Sequence, residues 1–277
     1  MVIRLHAMLM ACLGLLLTTT AVAKLFVPDL EPWDEWVAAD TTSKVTIDHS
    51  LWQQTLNLYL ITETEDGINR FDYAAVTTAD RSRLQSYIDA LAALDPRDYN
   101  RQQQRPYWIN LYNALTVSVV LDNYPVKSIR RIHGGVLGTG PWNRKIIKLA
   151  GIDLSLNDIE HRILRPLWRD PRIHFAVNCA SLGCPNLAAE AYTAANTEAL
   201  LLQGSRDYIN HPRGASFNAK GVLTLSSIFN WYDTDFGVSQ QKRLLYLAGF
   251  AEPELAAQLL GYDGKIKYTY DWALNQP

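Results

Sequence analysis

The chain has 277 residues, of which 48% are hydrophobic and 19% are charged, and its formal net charge is -2. This balance is typical of a folded domain, and the lack of a basic excess argues against a nucleic-acid partner. A chain of this length buries one large core without needing disulfide bonds to fold.

The first 23 residues have the pattern of a secretory signal peptide. Arg4 precedes an apolar run that closes on Ala21-Val22-Ala23, so cleavage is expected before Lys24 and removes Cys12. The run drifts into threonines and is shorter than the roughly 18 apolar residues that a membrane anchor needs. We therefore expect a periplasmic or secreted protein with no membrane span in the mature chain.

The remaining sequence shows no repeat, low-complexity segment or flexible linker. We expect a loosely held arm at residues 24–43 and a single globular domain at residues 44–277. Hydrophobic periodicity predicts helices and short strands, and hence an α+β domain whose mostly helical half packs on a small, largely antiparallel sheet. The predicted helices lie in SLWQQTLNLYLIT, TTADRSRLQSYIDALAAL, RPYWINLYNALTVSVVLDNYP, SLNDIEHRILRPLW and AAEAYTAANTEALLLQGSRDYIN. Ser155 and Asp158, at the start of the fourth of these, have the spacing of a capping box.

One of these helices is apolar on nearly all faces, between Trp108 and Leu121, and should be buried. Its polar exceptions, Asn110 and Asn113, share one face because they are three residues apart. Two interpretations stay open for them. They satisfy a buried structural network, or one of them orients a catalytic imidazole.

The segment RIHFAVN alternates apolar and polar residues, which predicts a strand from Ile173 to Asn178 ending directly before Cys179. The following ASLGC segment, up to Cys184, could open a helix or a tight turn. Free N–H groups at such a position would stabilise a thiolate on Cys179.

Five motifs together resemble domain-of-unknown-function family 547, as an exported bacterial member: YWINLYNALTV, SLNDIEHRILR, DPRIHFAVNCASLGCPNL, LSSIFNWYDTDFG and YDWALN. They occur in that family's order and span roughly residues 108–275. The resemblance implies no settled activity, but it indicates which positions the family shares. These are Trp108, Asn110, Asn113, Glu160, His161, His174, Cys179, Ser181, Cys184 and Pro185.

These residues contain the parts of a cysteine nucleophile: a thiol, an imidazole, an orienting amide and nearby donors. On an extended strand, the Cα atoms of His174 and Cys179 would lie roughly 16 Å apart. We therefore prefer His161 as the base and Asn110 or Asn113 as its orienter. We expect structural or supporting roles for Glu160, Asn178, Ser181, Cys184 and Trp108.

The sequence thus favours a cysteine-dependent acyl-transfer enzyme, a peptidase, amidase or transglutaminase, by analogy with the papain/transglutaminase group. Its substrate would be a peptide, protein or glycan of the cell envelope. The alternatives are a non-enzymatic peptide- or glycan-binding module with a Cys179–Cys184 disulfide, and a thiol redox protein. No cofactor is expected, and no metal, because two cysteines and scattered histidines lack the spacing of a zinc site.

Overall fold

A computed structural model describes residues 32–133 and 139–277. The predicted signal peptide and the first part of the predicted arm lie outside these residues. The described part contains α-helices and short strands of two to four residues. The α-helices are α1 (Ser50–Tyr59), α2 (Thr78–Ala92), α3 (Arg101–Asn123), α4 (Arg165–Trp168), α5 (Thr197–Asn210), α6 (Ile228–Trp231), α7 (Asp233–Phe236), α8 (Gln240–Ala248) and α9 (Pro253–Leu260).

The strands form three small sheets, and most of their pairings are antiparallel. One pairing, between β6 and β7, is parallel. The α+β class predicted from the sequence is therefore confirmed, with the sheet divided into separate pieces. The strands are β1 (Leu60–Ile61), β2 (Arg70–Phe71), β3 (Ile147–Leu149), β4 (Ile152–Leu154), β5 (Ala215–Phe217), β6 (Leu223–Ser226) and β7 (Lys267–Thr269).

Helix α3 is the buried helix that the sequence predicted. The Asn100 side chain caps its first turn by accepting from Gln103 N at 3.1 Å, and the helix ends two residues before Pro125. Trp108 and Leu111 on this helix are no more than 1% exposed. None of the described helices is both long enough and apolar enough to cross a membrane.

The predicted capping box after the β3–β4 hairpin is also present. Ser155 N donates to Asp158 Oδ2 at 2.8 Å, and Asp158 N donates back to Ser155 Oγ at 3.2 Å. The chain then forms a π-helix at Asp158–Leu164, which leads directly into α4. A π-helical stretch is rare and is often found at functional sites.

The strand predicted at residues 173–178 is wrong, because Pro171–Phe175 is a 3₁₀ helix capped by Asp170. The alternation that suggested a strand has another cause. Ile173 and Val177 pack into a large core around α1–α3, while Phe175 packs into a second core. Successive apolar residues of the segment pack into different cores, and they fall at every second position. The sequence therefore shows the same alternation as a strand.

The second core is built by α5 to α9 with β5 and β6. Residues 173–178 run between the two cores, and all of them are buried. The candidate site is built from this junction segment and the residues on either side of it.

Candidate active site

The two cysteines lie in a tight turn that follows the junction segment. Ala180 has a left-handed backbone with a φ of 57°, which is uncommon for a residue other than glycine. Asn178 supports this conformation, since its Oδ1 accepts from Ala180 N at 2.8 Å. Cys184 N donates to Ser181 O at 3.0 Å and closes the turn. Strained backbone of this kind occurs preferentially at functional sites.

A segment far along the chain fixes this turn from outside. Leu182 N donates to Ala273 O, and Gly183 N donates to Asp271 O, both at 2.8 Å. A Cβ atom at Gly183 would lie 2.8 Å from the backbone N and O of Asp271. Only glycine allows so close an approach, so the LG pair between the cysteines is a docking point for residues 271–273.

Both cysteines are free thiols, and their sulfur atoms lie 2.8 Å apart. This separation exceeds the roughly 2.0–2.1 Å of a disulfide bond. Cys179 Sγ also lies 3.2 Å from Ser181 Oγ and 3.0 Å from the Tyr270 hydroxyl. We refer to Cys179, Cys184, Ser181 and Tyr270 as the thiol cluster.

The two thiols have opposite shifts in pKa. Burial acts to raise the pKa of Cys179, but hydrogen bonds from Cys184, Ser181 and Tyr270 outweigh it and hold the pKa below the ordinary thiol value. Burial raises the pKa of Cys184 well above that value, and the neighbouring Cys179 raises it further. Burial likewise raises the pKa of Tyr270, so its hydroxyl keeps a proton to donate. Cys179 is therefore the sulfur that ionises.

A second group of polar side chains lies on the π-helix and the segments beside it. His174 Nε2 lies 2.6 Å from Asp235 Oδ2, and its Nδ1 lies 3.6 Å from Glu160 Oε1. Arg165 pairs with the same Asp235 through two hydrogen bonds, of 2.7 and 3.0 Å. With His161 these residues form what we term the charge cluster. Its side chains are no more than 9% exposed.

The ionisation of the charge cluster follows from its burial and its pairing. Burial lowers the pKa of His161 to about 4, although Glu160 opposes the shift. Burial would raise the pKa of Glu160, but the nearby charges of His161 and His174 outweigh it and lower the pKa to about 2. Asp235 is likewise held well below its usual pKa by His174 and Arg165, against its burial. At neutral pH the cluster thus contains ionised carboxylates and a neutral His161.

Two tyrosines line the charge cluster. The Tyr112 hydroxyl donates to Glu160 Oε2 at 3.1 Å. The Tyr232 ring stacks on His174, with 4.0 Å between ring centroids and 22° between planes, and the Arg165 guanidinium lies 4.9 Å from the same ring. These rings exclude water from the charges and strengthen their interactions.

The thiol cluster and the charge cluster adjoin without a direct hydrogen bond. In residues 32–133 and 139–277, neither His161 nor His174 bonds to a cysteine. The negative charge of Glu160 nevertheless raises the pKa of Cys179, so the carboxylate lies within electrostatic reach of the thiol.

The amides that the sequence proposed as orienters bond to backbone atoms. Asn110 accepts from Tyr192 N at 3.0 Å and donates to Tyr192 O at 2.7 Å. Asn113 donates to Ala176 O at 2.9 Å and accepts from Asn178 N at 2.8 Å. Asn113 therefore fixes the backbone between His174 and Cys179, which matches the structural interpretation of these amides.

Trp108 and Asn178 have structural surroundings as well. Trp108 packs edge-on against Trp36, with 5.2 Å between ring centroids. Asn178 Nδ2 donates to Pro185 O at 2.7 Å, which links the two ends of the cysteine turn.

Sequence reasoning missed Arg165, Asp235 and Tyr270 as site residues. Each lies in a motif already singled out: SLNDIEHRILR for Arg165, LSSIFNWYDTDFG for Asp235 and YDWALN for Tyr270. A charged or hydroxylated side chain inside a largely apolar motif is the available signal, because such groups are rarely buried without a partner. Among the described residues, no group of three or more His, Cys, Asp or Glu side chains is arranged to hold a metal ion.

Comparisons with known proteins yield one match. The comparisons with curated proteins and with solved structures found no match. Residues 96–209 match the family model described as "Protein of unknown function, DUF547". This range holds α3, the π-helix, the junction segment and both cysteines, whereas Asp235 and Tyr270 lie beyond it. The resemblance to the DUF547 family that the motifs predicted is confirmed over these residues.

Proposed function

We propose that the protein is a cysteine-dependent acyl-transfer enzyme with Cys179 as its nucleophile. The thiolate of Cys179 attacks the carbonyl carbon of an amide or ester, and a carbon–sulfur bond forms. The departing amine or alcohol takes a proton from the charge cluster and leaves a thioester on Cys179. Water or an amine then attacks the thioester and returns a proton to the charge cluster, which releases the acyl group and restores the thiolate.

The observation that carries the proposal is the convergence of three hydrogen-bonding groups on Cys179 Sγ, with Cys184 Sγ at 2.8 Å, the Tyr270 hydroxyl at 3.0 Å and Ser181 Oγ at 3.2 Å. The thiolate is the reactive form of cysteine, and donors that stabilise it raise its population near neutral pH. With the thiolate formed in this way, no imidazole needs to contact Cys179 in the free enzyme.

The adjoining charge cluster favours acyl transfer over chemistry that needs thiols alone. A buried ion-pair cluster is costly to maintain unless it has a use, since apolar residues of similar size are often as stable. Acyl transfer needs groups that exchange protons with the departing and attacking atoms, and His161 and His174 beside Glu160 are such groups.

A nonspecific ester separates the proposal from its rivals. With p-nitrophenyl acetate, we expect a burst of p-nitrophenolate equal to the enzyme concentration and an acetyl group on Cys179 by mass spectrometry. Cys179→Ser should lose the burst. Cys184→Ser should keep it, because the serine hydroxyl can still donate to Cys179. Acetylation spread over surface lysines, with no burst, would refute acyl transfer at Cys179.

Thiol–disulfide exchange is a second candidate, favoured by the 2.8 Å between the two sulfur atoms. Cys179 would attack a substrate disulfide, and Cys184 would then displace the mixed disulfide, forming a Cys179–Cys184 bond as the substrate is reduced. Turnover of a small disulfide with dithiothreitol as reductant should then require both cysteines. Cys184→Ser thus keeps the ester burst under the first function and loses turnover under the second.

The third possibility, a binding module with a structural bridge, has its own outcome. Purified protein would then resist iodoacetamide until it is reduced, and Cys179→Ser and Cys184→Ser would lower its stability equally. Neither the ester burst nor disulfide turnover would occur.

We further infer that the enzyme is exported and acts on peptide or protein substrates of the cell envelope. The support is the signal-peptide pattern that closes on Ala21-Val22-Ala23. Mass spectrometry of protein recovered from the periplasm or medium should find Lys24 as the first residue. A recovered chain that still begins at Met1 would contradict export by cleavage.

A further inference from the structure

The hydrogen bonding of His161 limits the proton arrangement on its ring. Arg165 Nη1 lies 3.2 Å from His161 Nδ1. A guanidinium has only donors, so the imidazole nitrogen that faces it must accept. The nearest carboxylate oxygen, Glu160 Oε1, lies 3.9 Å from the same nitrogen, too far for a hydrogen bond. A proton on Nδ1 would therefore face the guanidinium without a partner of its own.

The other nitrogen of His161 has no partner. Among the described residues, Nε2 makes no hydrogen bond, although the side chain is 5% exposed. Nε2 is not among the fully buried side-chain atoms that lack a partner, so it reaches solvent-accessible space, where a ligand can accept a hydrogen bond from it. The bond from Arg165 leaves this nitrogen with the ring's single proton, because burial keeps the ring neutral.

Arg165 is itself held rigidly. Its two hydrogen bonds to Asp235 fix the plane of the guanidinium, and Asp235 is fixed in turn by His174 Nε2 at 2.6 Å. The chain of contacts from His174 through Asp235 and Arg165 to His161 therefore determines which nitrogen of His161 bears the proton.

We propose that Arg165 is a positioning residue that holds His161 as the neutral Nε2–H tautomer, and that this N–H binds the carbonyl oxygen of the substrate. This proposal rests on the proposed acyl transfer, and it changes the role of His161 from proton exchange to hydrogen bonding. A neutral imidazole is a poor proton source and here lacks a free lone pair, so His161 is a hydrogen-bond donor to the oxygen that becomes negative when Cys179 attacks. Proton exchange is left to the rest of the charge cluster.

Nitrogen-15 NMR tests this directly. In protein labelled with ¹⁵N-histidine, the couplings between ring protons and ring nitrogens show which nitrogen bears the proton, and His161→Gln identifies the signals by removing them. At neutral pH we expect His161 to be protonated on Nε2 alone. A ring protonated on Nδ1, or on both nitrogens, would overturn the proposal.

Two variants test the part assigned to Arg165. Arg165→Met, or Asp235→Asn if the first does not fold, should shift the tautomer ratio toward Nδ1–H by roughly tenfold or more, the worth of a hydrogen bond from a charged donor. Asp170→Asn is the matched control, because Asp170 pairs with Arg105 and Arg172, away from His161. An unchanged ratio in a folded variant would show that Arg165 does not set the tautomer.

The NMR result does not depend on activity. A missing ester burst with the expected tautomer would refute acyl transfer alone. A normal burst with the opposite tautomer would refute the role of His161 and Arg165 alone.

Discussion

The thiol cluster and the charge cluster are both buried polar groups, yet they are built differently. Neutral donors surround one ionisable atom in the thiol cluster, which makes Cys179 easier to ionise. In the charge cluster, full charges pair with one another, and removing one leaves the others uncompensated. The thiol cluster should therefore respond to mutation mainly in reactivity, and the charge cluster mainly in stability.

The largest effect should come from breaking the charge cluster. Asp235→Ala leaves Arg165 buried without its carboxylate, so we expect a loss of about 3–5 kcal/mol in the free energy of unfolding. Urea denaturation measures it. Asp263, which is exposed, is the control, and Asp263→Ala should change stability by less than about 0.5 kcal/mol. Equal values for the two variants would contradict the pairing.

The stability lost on truncating a buried apolar side chain is a reference for the loss expected from Asp235→Ala. Leu111 on α3 is fully buried, and Leu111→Ala should cost about 2–5 kcal/mol through lost burial and a cavity. Leu58 is 58% exposed, so the same change there should cost little. Similar costs at both positions, measured by urea denaturation, would argue against α3 as the core of the domain.

As pH falls, protonation of His161 should weaken the charge cluster before protonation of Glu160 does. The pKa of His161 is about 4 in the folded chain and near 6.5 when unfolded, so the unfolded state binds more protons between these values and stability falls as pH drops from 6.5 to 4. The loss should be about 3 kcal/mol, since each pKa unit is worth about 1.4 kcal/mol. His49, whose pKa burial lowers to about 4, contributes in the same window. Urea denaturation of His161→Gln should show a smaller slope there.

Glu160 adds a loss at lower pH. Its pKa of about 2 lies below its ordinary value, so its stabilisation is complete above about pH 4.5 and disappears as pH falls toward 2. Glu160→Gln should flatten stability over this lower range and leave the slope between pH 6.5 and 4 largely in place. A variant with an unchanged acid profile would contradict the pairing of Glu160.

The thiol cluster should lose reactivity with little change in stability. Tyr270→Phe removes a donor from Cys179 Sγ, so the pKa of the thiol rises and iodoacetamide reacts more slowly at a fixed pH below it. Each unit of rise lowers the thiolate population roughly tenfold. Stability should fall by only about 1 kcal/mol. Tyr262→Phe, which removes a hydroxyl bonded to Lys265 O, should leave alkylation unchanged.

The smallest effect concerns the link between the clusters. Because the charge of Glu160 raises the pKa of Cys179, Glu160→Gln should lower that pKa and move the pH profile of alkylation to lower pH. Tyr270→Phe and Glu160→Gln should therefore shift the pH profile of alkylation in opposite directions. A shift to higher pH in Glu160→Gln would show that the carboxylate does not act on the thiol.

The sequence predicted the local features well. The buried helix and the Ser155–Asp158 capping box both depend on residues within a few positions of one another. The strand at 173–178 failed because two cores face one short segment, and periodicity cannot separate that arrangement from a sheet.

The site pairings were beyond local reasoning. His174 meets Asp235 across 61 positions, Arg165 meets Asp235 across 70, and Cys179 meets Tyr270 across 91. A single sequence carries no spacing rule for contacts at these separations. Each residue could be seen as a polar side chain in an apolar motif, but not matched to its partner.

The docking of residues 271–273 on the cysteine turn has a consequence for the newly made protein. Cys179 leaves the ribosome well before Tyr270 and the segment that holds the turn. A nascent chain therefore contains the thiol without a donor that helps to ionise it and without the backbone contacts that shape its turn. During synthesis we therefore expect Cys179 to react as an ordinary thiol, and to gain the proposed reactivity only when this late segment has folded onto it.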